Sequence, residues 1–170
     1  MLKQLSVPFL PLPASGWGEA LILENSDAEA LIAAVPHKRF VVTLNGKHTQ
    51  HSSIQRVKGT YFIMLSKTKR KEYGIEPGET VDLRIEEDTS KYGMVLPEEW
   101  AELMEQDPLV REAFEAQTPG RRRNILFNIA GAKTVETRVR RAVDFAEYLV
   151  VTGQPFDFKK FSAYLRQRDQ

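Results

Sequence analysis

The stretch Tyr61–Pro97, with the sequence YFIMLSKTKRKEYGIEPGETVDLRIEEDTSKYGMVLP, decides the fold of the first half of the chain. Its apolar start predicts a strand, and Ser66 or Thr68 can cap a short basic helix over Lys69–Tyr73. Gly74 suits the left-handed residue that ends such a helix. These signals agree on one order of elements, a strand, a short helix and a glycine stop.

A turn and a second strand follow this helix. Pro77-Gly78 places proline at the second position of a turn. The acidic group Glu86-Glu87-Asp88 is expected to be solvated at the end of the second strand, and Met94–Leu96 is predicted to form a last short strand. In the second strand apolar residues alternate with charged ones, which is typical of a strand with one buried face. The apolar residues are Val81, Leu83 and Ile85, and the charged ones are Asp82, Arg84 and Glu86.

The preceding residues contain a similar order of elements. Prolines favour extended backbone near the N-terminus, and Asn-Gly is a strong tight-turn signal. The predicted elements are an extended segment over residues 1–16, a strand over Trp17–Leu23, a short helix over residues 28–34, a strand over Arg39–Leu44, a tight turn at Asn45-Gly46 and a ragged strand or loop over residues 47–56.

A gap-free shift of 41 residues relates these two halves. It places Ile22 on Ile63 and Pro36 on Pro77. Each half alone would leave an open sheet edge, which is a liability for a folded protein. We therefore expect the two halves to close one another into a small barrel.

From Pro97 onward the apolar residues recur at helical spacing. Proline, threonine and glycine mark the helix ends, and an apolar stripe on the longest helix is expected to form its packing face. The helical segments are predicted to start at Pro97 and at Asp107-Pro108 and to cover Arg121–Ala130, Thr134–Thr152 and Phe158–Arg166. The stripe of the longest helix consists of Val135, Val139, Ala142, Ala146 and Leu149.

The sequence thus predicts an α+β fold in two parts. A closed β-barrel is expected over residues 1–97, and a helical region over residues 98–170. The aromatic residues that are expected to lie in the core are Trp17, Phe40, Tyr61, Phe62, Trp100, Phe114 and Phe127.

The run LSKTKRKEYGIEPGETVDLRIEED, followed by VLP, resembles the swapped-hairpin motif of AbrB- and MazE-type proteins. Ser66 stands where these proteins usually carry proline. The resemblance implies a double-split barrel and, through the basic helix, contact with DNA. The matching residues are Arg70, Gly74, Ile75, Pro77, Gly78, Val81 and Pro97.

Residues 17–97 more closely resemble a bacterial family of domains of unknown function. Such a chain builds both halves of the barrel itself, so the resemblance implies a barrel that is complete in one chain and a monomer. The matching residues are Trp17, Asn45-Gly46, Arg70-Lys71, Gly74-Ile75, Gly78 and Val81.

Residues 97–153 resemble the YdeI/OmpD-associated family. The family name implies a role in bacteriocin protection, which is a phenotype and not a reaction. The matching residues are Asp107, Pro108, Phe114, Thr118 to Arg123, Ile129, Ala132, Lys133, Thr137, Arg138 and Arg141.

Composition limits the classes of function. The chain of 170 residues is 42% hydrophobic and 28% charged, with a formal net charge of +1, so no global field attracts polyanions. It contains no cysteine and no apolar run long enough to span a bilayer. A cytoplasmic location without membrane contact is therefore expected.

No motif predicts a reaction. The sequence has no G-x-S-x-G elbow and no phosphate-binding glycine loop. His48 and His51 would point to opposite faces of a strand, and zinc requires three or four ligands. His37 is expected to be a turn residue. We therefore predict no enzyme, no cofactor and no metal.

Two groups of basic residues are candidate binding sites. Lys67, Lys69, Arg70 and Lys71 form the densest group and are the candidates for nucleic-acid binding, with a solvated helix turn as the alternative. The candidates for anion binding lie in the helical region, where pairing with Glu112 or Glu115, or docking of a helix, is the alternative. These anion candidates are Arg121, Arg122, Arg123, Lys133, Thr137, Arg138 and Arg141.

Three functions compete on these observations. The first is a non-enzymatic binding protein whose ligand is a protein or a small anion, in a stress- or bacteriocin-protection role. The second is nucleic-acid binding through residues 67–71. The third is an enzyme with an unrecognised site between barrel and helices.

Overall fold

The computed structural model describes residues 1–13, 16 and 18–170, which form two compact units, Met1–Gly93 and Met94–Gln170. Within these residues the first unit contains six strands and two helices, and the second contains five helices. The predicted α+β fold, a closed barrel followed by a helical region, is therefore confirmed.

The strands of the first unit form a closed antiparallel barrel. Its elements are β1 (Lys3–Pro11), β2 (Glu19–Leu23), α1 (Asn25–Ala34), β3 (Arg39–Leu44), β4 (His48–Val57), β5 (Thr60–Met64), α2 (Lys67–Tyr73) and β6 (Thr80–Glu87). Around the barrel the order is β1, β2, β5, β4, β3 and β6, and β6 pairs with β1 to close it.

Of the N-terminal segment predicted to be extended, Lys3–Pro11 form a full barrel strand. Six residues of β1, from Lys3 to Pro8, pair with β6, and Phe9–Pro11 pair with β2. The strand predicted over Trp17–Leu23 begins at Glu19. Trp17 itself, predicted to belong to the core, lies outside the described residues.

Side-chain alternation fills the barrel interior. Val42 pairs with Ile85 and Leu44 with Leu83, so inward residues of β3 lie beside inward residues of β6. The predicted strand face is confirmed, since these residues are almost fully buried. The buried residues of the two strands are Phe40, Val42, Leu44, Val81, Leu83 and Ile85.

The strand order is unchanged when β1, β2 and β3 are exchanged with β4, β5 and β6. The barrel therefore has the two-fold repeat that the sequence predicted. The predicted match of Ile22 with Ile63 agrees with the strand bounds, but the two side chains lie on different faces. Leu21 and Ile63 share the barrel core, while Ile22 packs against a separate outer cluster. The shift of 41 residues places the bounds of β2 on β5 and the start of β3 on the start of β6, but it places the inward Leu21 on the outward Phe62.

Two further strand predictions need correction. The polar residues 47–56 were expected to be ragged, but β4 is ten residues long and turns Gln50, Ser52 and Ile54 toward the inside. Met94–Leu96 is not a strand. Since β6 already pairs with β1 on one side and β3 on the other, it offers no free edge to a later strand.

Local signals set the turns and helix ends. Asn45 and Gly46 both have positive φ, which confirms the tight turn. Ser66 caps α2 by accepting a hydrogen bond from the Lys69 N–H, and Gly74 ends that helix in the left-handed region. By contrast, α1 begins at Asn25, earlier than predicted, and lacks a side-chain cap.

The helical unit is built on aromatic packing. Trp100 and Phe114 meet edge to face at 5.1 Å, and Phe145 stacks on Phe161 at 4.4 Å. Phe127, expected in the core, is exposed instead. The helices are α3 (Glu98–Gln106), α4 (Pro108–Glu115), α5 (Pro119–Ala130), α6 (Val135–Thr152) and α7 (Phe158–Arg168).

The barrel core supplies a direct test of this fold. Leu83→Ala removes a buried side chain from β6 and is expected to lower the free energy of unfolding by about 2–5 kcal/mol. The matched change Leu10→Ala on β1, where the side chain is exposed, should cost about 1 kcal/mol or less. Urea unfolding followed by circular dichroism measures both, and equal losses would contradict the assigned strand faces.

Candidate functional site

A groove between α3 and α6 is a concave surface of the helical unit that combines apolar and charged side chains. Its cavity volume is about 390 Å³. Helix α3 contributes acidic residues and one leucine, and α6 contributes three valines and one alanine. The lining residues are Glu98, Glu99, Glu102, Leu103, Val135, Val139, Ala142 and Val143.

Helical geometry places the three valines in one row. Val135, Val139 and Val143 follow one another at intervals of four residues, which are neighbours along one helix face. They are 60%, 46% and 45% exposed. A row of exposed aliphatic side chains in a concave surface is a candidate contact site. Spacing also places Val150, partly exposed, on the same side of α6.

This row corrects the prediction for α6. The apolar stripe was expected to form the packing face as a whole. Its later members Ala142, Ala146 and Leu149 are buried, but Val135 and Val139 are exposed. The signal that could have shown this is the width of the apolar sector, because Val143 extends it beyond what one packing face needs.

The opposite side of the groove is acidic. Glu98, Glu102 and Glu105 are exposed on α3 at spacings of four and three residues, which places them along one side of that helix. None of the residues that line the groove is basic. The groove therefore combines an apolar wall with negative charge.

An ion pair fixes the distance between the two walls. The Arg138 guanidinium donates from Nε to Glu99 Oε1 at 2.7 Å and from Nη1 to the Ala132 carbonyl at 3.2 Å. The bond from Arg138 lowers the pKa of Glu99 below its usual value. Both residues are only partly exposed, so the contact acts as a hydrogen-bonded brace across α3 and α6.

Other predicted anion-binding residues also connect helices. Arg122 donates to Glu115 at 2.6 Å, and Arg141 donates to the Asn128 carbonyl at 2.6 Å. Thr137 is engaged with the helix cap Thr134. Among the described residues, no side-chain partner is found for the remaining candidates, Arg121, Arg123 and Lys133.

The basic group at residues 67–71 also contains some residues that are bound to neighbours and others that are exposed to solvent. Lys69 donates from Nζ to Gln50 Oε1 at 3.3 Å, and Arg70 forms an ion pair with Glu19 at 3.4 Å. Burial lowers the pKa of Lys69, although the charge of Glu72 acts in the opposite direction. Lys67 and Lys71 are the members of this group that are exposed to solvent.

A buried carboxylate in the barrel unit was missed by sequence reasoning. Asp88, expected to be solvated, is 2% exposed. It accepts hydrogen bonds from His51 Nδ1 at 2.8 Å and from the Ser90 N–H and hydroxyl at 3.0 and 2.5 Å. Burial by itself raises the pKa of Asp88, but the bonds from Ser90 and His51 more than offset it and bring the pKa below its usual value.

The Asp88 cluster holds a loop rather than forming a nucleophile. The Ser90 hydroxyl donates to Asp88 and not to His51, so the Ser-His contact of a hydrolase is not made here. Ser90 Oγ also accepts from the Gly93 N–H, and Arg39 donates to the Gly93 carbonyl. The cluster therefore ties the segment after β6 to β3 and β4.

His48 and His37 contact an aromatic ring and a backbone carbonyl, respectively. His48 stacks on Tyr73 with ring centroids 4.1 Å apart, and His37 Nε2 lies 2.9 Å from the Asp88 carbonyl oxygen. In residues 1–13, 16 and 18–170, no three acidic or histidine side chains are grouped to hold a metal. Within the same residues no helix has the length and apolar character to cross a membrane.

Asp88→Asn tests the buried cluster through pH. The pKa of Asp88 is lower in the folded chain than in the unfolded one. Its ionised form therefore stabilises the fold above the unfolded pKa of about 3.9, and this gain is lost as pH falls through the lower folded value. At pH 7 the free energy of unfolding of the variant should be lower than that of the unmodified chain by about 1.5–3 kcal/mol, which is the range for hydrogen bonds to a charged group.

The exposed neighbour gives the control for this prediction. Glu87→Gln should leave the unfolding free energy at pH 7 nearly unchanged. Urea titrations at pH 7 and below pH 3 measure both variants. A deficit of Asp88→Asn that persists undiminished at the lowest pH would contradict the assigned role of the carboxylate.

One comparison with known proteins matches the helical unit. Residues 93–150 match the family described as OmdA: Bacteriocin-protection, YdeI or OmpD-Associated. No match is found to a curated protein or to a solved structure. The matched segment covers α3 to α5 and most of α6, including every residue that lines the groove. The resemblance predicted for residues 97–153 is thus confirmed for this part of the chain, which is similar to the YdeI/OmpD-associated family.

Proposed function

We propose that this chain is a non-enzymatic binding protein that holds a partner protein in the groove between α3 and α6. The observation that carries the proposal is the row of exposed valines, Val135, Val139 and Val143, beside acidic α3. Apolar side chains in a concave site supply binding energy, and a few polar groups at its edge orient the partner.

The shape of the groove favours a protein over a small ligand. Three valines in successive turns extend over about 12 Å, and Val150 would lengthen the row to about 22 Å. Such a row suits an elongated partner element. A small anion fits this surface poorly, because the charged groups that line it are glutamates.

The family match supports a protein-directed role. The family is described by bacteriocin protection and association with OmpD, and the matched segment contains the whole groove. We propose that this chain acts in a protective process of the same kind by binding a protein. Nucleic-acid binding has less support, because Lys69 and Arg70 are engaged with Gln50 and Glu19.

We also propose that the barrel is an AbrB-type double-split barrel completed in one chain, so that the protein is a monomer. The two-fold repeat of strand pairing supports this arrangement. In it, β1 to β3 take the place that one subunit has in a dimeric barrel, and β4 to β6 take the place of the other.

Site-specific cross-linking tests the binding function. Benzoylphenylalanine in place of Val139, in the full chain produced in bacterial cells, should form a light-dependent adduct with a partner identified by mass spectrometry. The purified partner should bind the unmodified chain in calorimetry. Val143→Asn should raise the Kd at least about tenfold, which corresponds to about 1.4 kcal/mol.

Val151 provides the matched control on the same helix. It is 66% exposed and does not line the groove. Benzoylphenylalanine at position 151 should give no such adduct, and Val151→Asn should leave the Kd unchanged. Equal adducts at both positions, or none at position 139, would overturn the proposed function.

A further inference from the structure

We infer that the partner segment recognised by the groove between α3 and α6 is a positively charged amphipathic helix. This inference rests on the proposed function and adds the chemical class of the partner. It is argued from the shape of the valine row, the charge of the opposite wall and the way α6 already packs with α7.

The apolar wall has the spacing of a helix-binding surface. Val135, Val139 and Val143 stand one helical turn apart along α6. A partner helix with apolar residues at i, i+3, i+4 and i+7 presents side chains at matching intervals. An extended strand alternates its side chains every two residues and would direct half of them away from the valines.

The negative charge of the groove favours a partner segment with positive charge. Glu98, Glu102 and Glu105 lie exposed along one side of α3, and no basic residue lines the groove. Arg138, which reaches this wall from α6, is bonded to Glu99. Lysine or arginine at the edge of a partner helix would therefore meet carboxylates without competition from the lining.

Another face of α6 already packs with a helix of this class. Phe161 of α7 is buried against Phe145 of α6, while Arg168 of α7 donates to Asp144 and Glu147 at 2.8 and 3.0 Å. Helix α7 thus combines an apolar anchor with a basic residue that binds acidic residues of α6. The valine row and the α3 glutamates offer the same combination to a second helix.

A second copy of the chain is a less suitable occupant. In a symmetric dimer through this groove each α3 would contribute the same glutamates to a single interface. Like charges placed together in a partly buried interface oppose association. The surface is therefore better matched to a partner of opposite charge than to itself.

Designed peptides provide the test. The probe is a fluorescein-labelled 18-residue helix with leucine at i, i+3, i+4 and i+7 and lysine on its other positions. A second peptide carries glutamate in place of lysine, and a third keeps the composition of the first in shuffled order. Fluorescence anisotropy with the full chain should show a Kd at least about tenfold lower for the first peptide than for the other two.

Variants locate the binding surface. Val139→Asn should raise the Kd of the lysine peptide at least about tenfold, whereas Val151→Asn should leave it unchanged. Glu98→Gln combined with Glu102→Gln should weaken binding by about three- to tenfold and reduce its dependence on salt. Asparagine is used at both valines because it changes polarity without adding charge.

Each alternative outcome is informative. If the glutamate peptide binds as tightly as the lysine peptide and Val139→Asn weakens both, the groove binds an apolar helix but the inference that the partner is positively charged is overturned. Equal binding of the shuffled peptide overturns it as well, since charge alone would then suffice. Self-association that Val139→Asn abolishes in analytical ultracentrifugation assigns the groove to a second copy instead. A missing peptide signal overturns the inference, while the cross-link at position 139 decides the proposed function separately.

Discussion

Pairing of β6 with both β1 and β3 is the constraint on which the barrel unit depends. Six residue pairs join β1 to β6, from Lys3 with Ile85 to Pro8 with Thr80, and they bring the two ends of the strand sequence together. Without that contact β1 and β6 would be open edges, which are prone to associate with other chains. Closure also explains why the later residues Met94–Leu96 find no strand to join.

Much of this barrel was predictable because its signals are local. The alternation in Arg39–Leu44 and in residues 81–86, the Asn45-Gly46 turn and the Gly74 helix stop each lie within a few residues, and each is found where predicted. Register over longer distances was not predictable. The faces of β2 and β5 are reversed at equivalent positions although the connections to β3 and β6 are equally long, and composition does not reveal this.

The candidate site was less accessible to sequence reasoning for two physical reasons. The width of the apolar sector of α6 indicates that some of its residues stay uncovered, but it does not identify Val135 and Val139 rather than the buried Leu149. The Asp88 cluster depends on residues that β-sheet pairing brings together from distant positions, with His51 on β4. An acidic run is normally solvated, and only the fold makes Asp88 an exception.

Charged side chains of the helical unit have two different roles around the groove. Of the four arginines Arg122, Arg138, Arg141 and Arg168, each is bound to a neighbouring helix of the same unit, by a carboxylate or a backbone carbonyl. The positive charge of these four residues is thereby used within the helical unit, whereas Glu98 and Glu102 stay exposed beside the valines. Preformed walls cost a partner little reorganisation on binding. The Arg138–Glu99 ion pair therefore holds α3 against α6 and leaves exposed valines and glutamates in the groove between them, where a partner can bind.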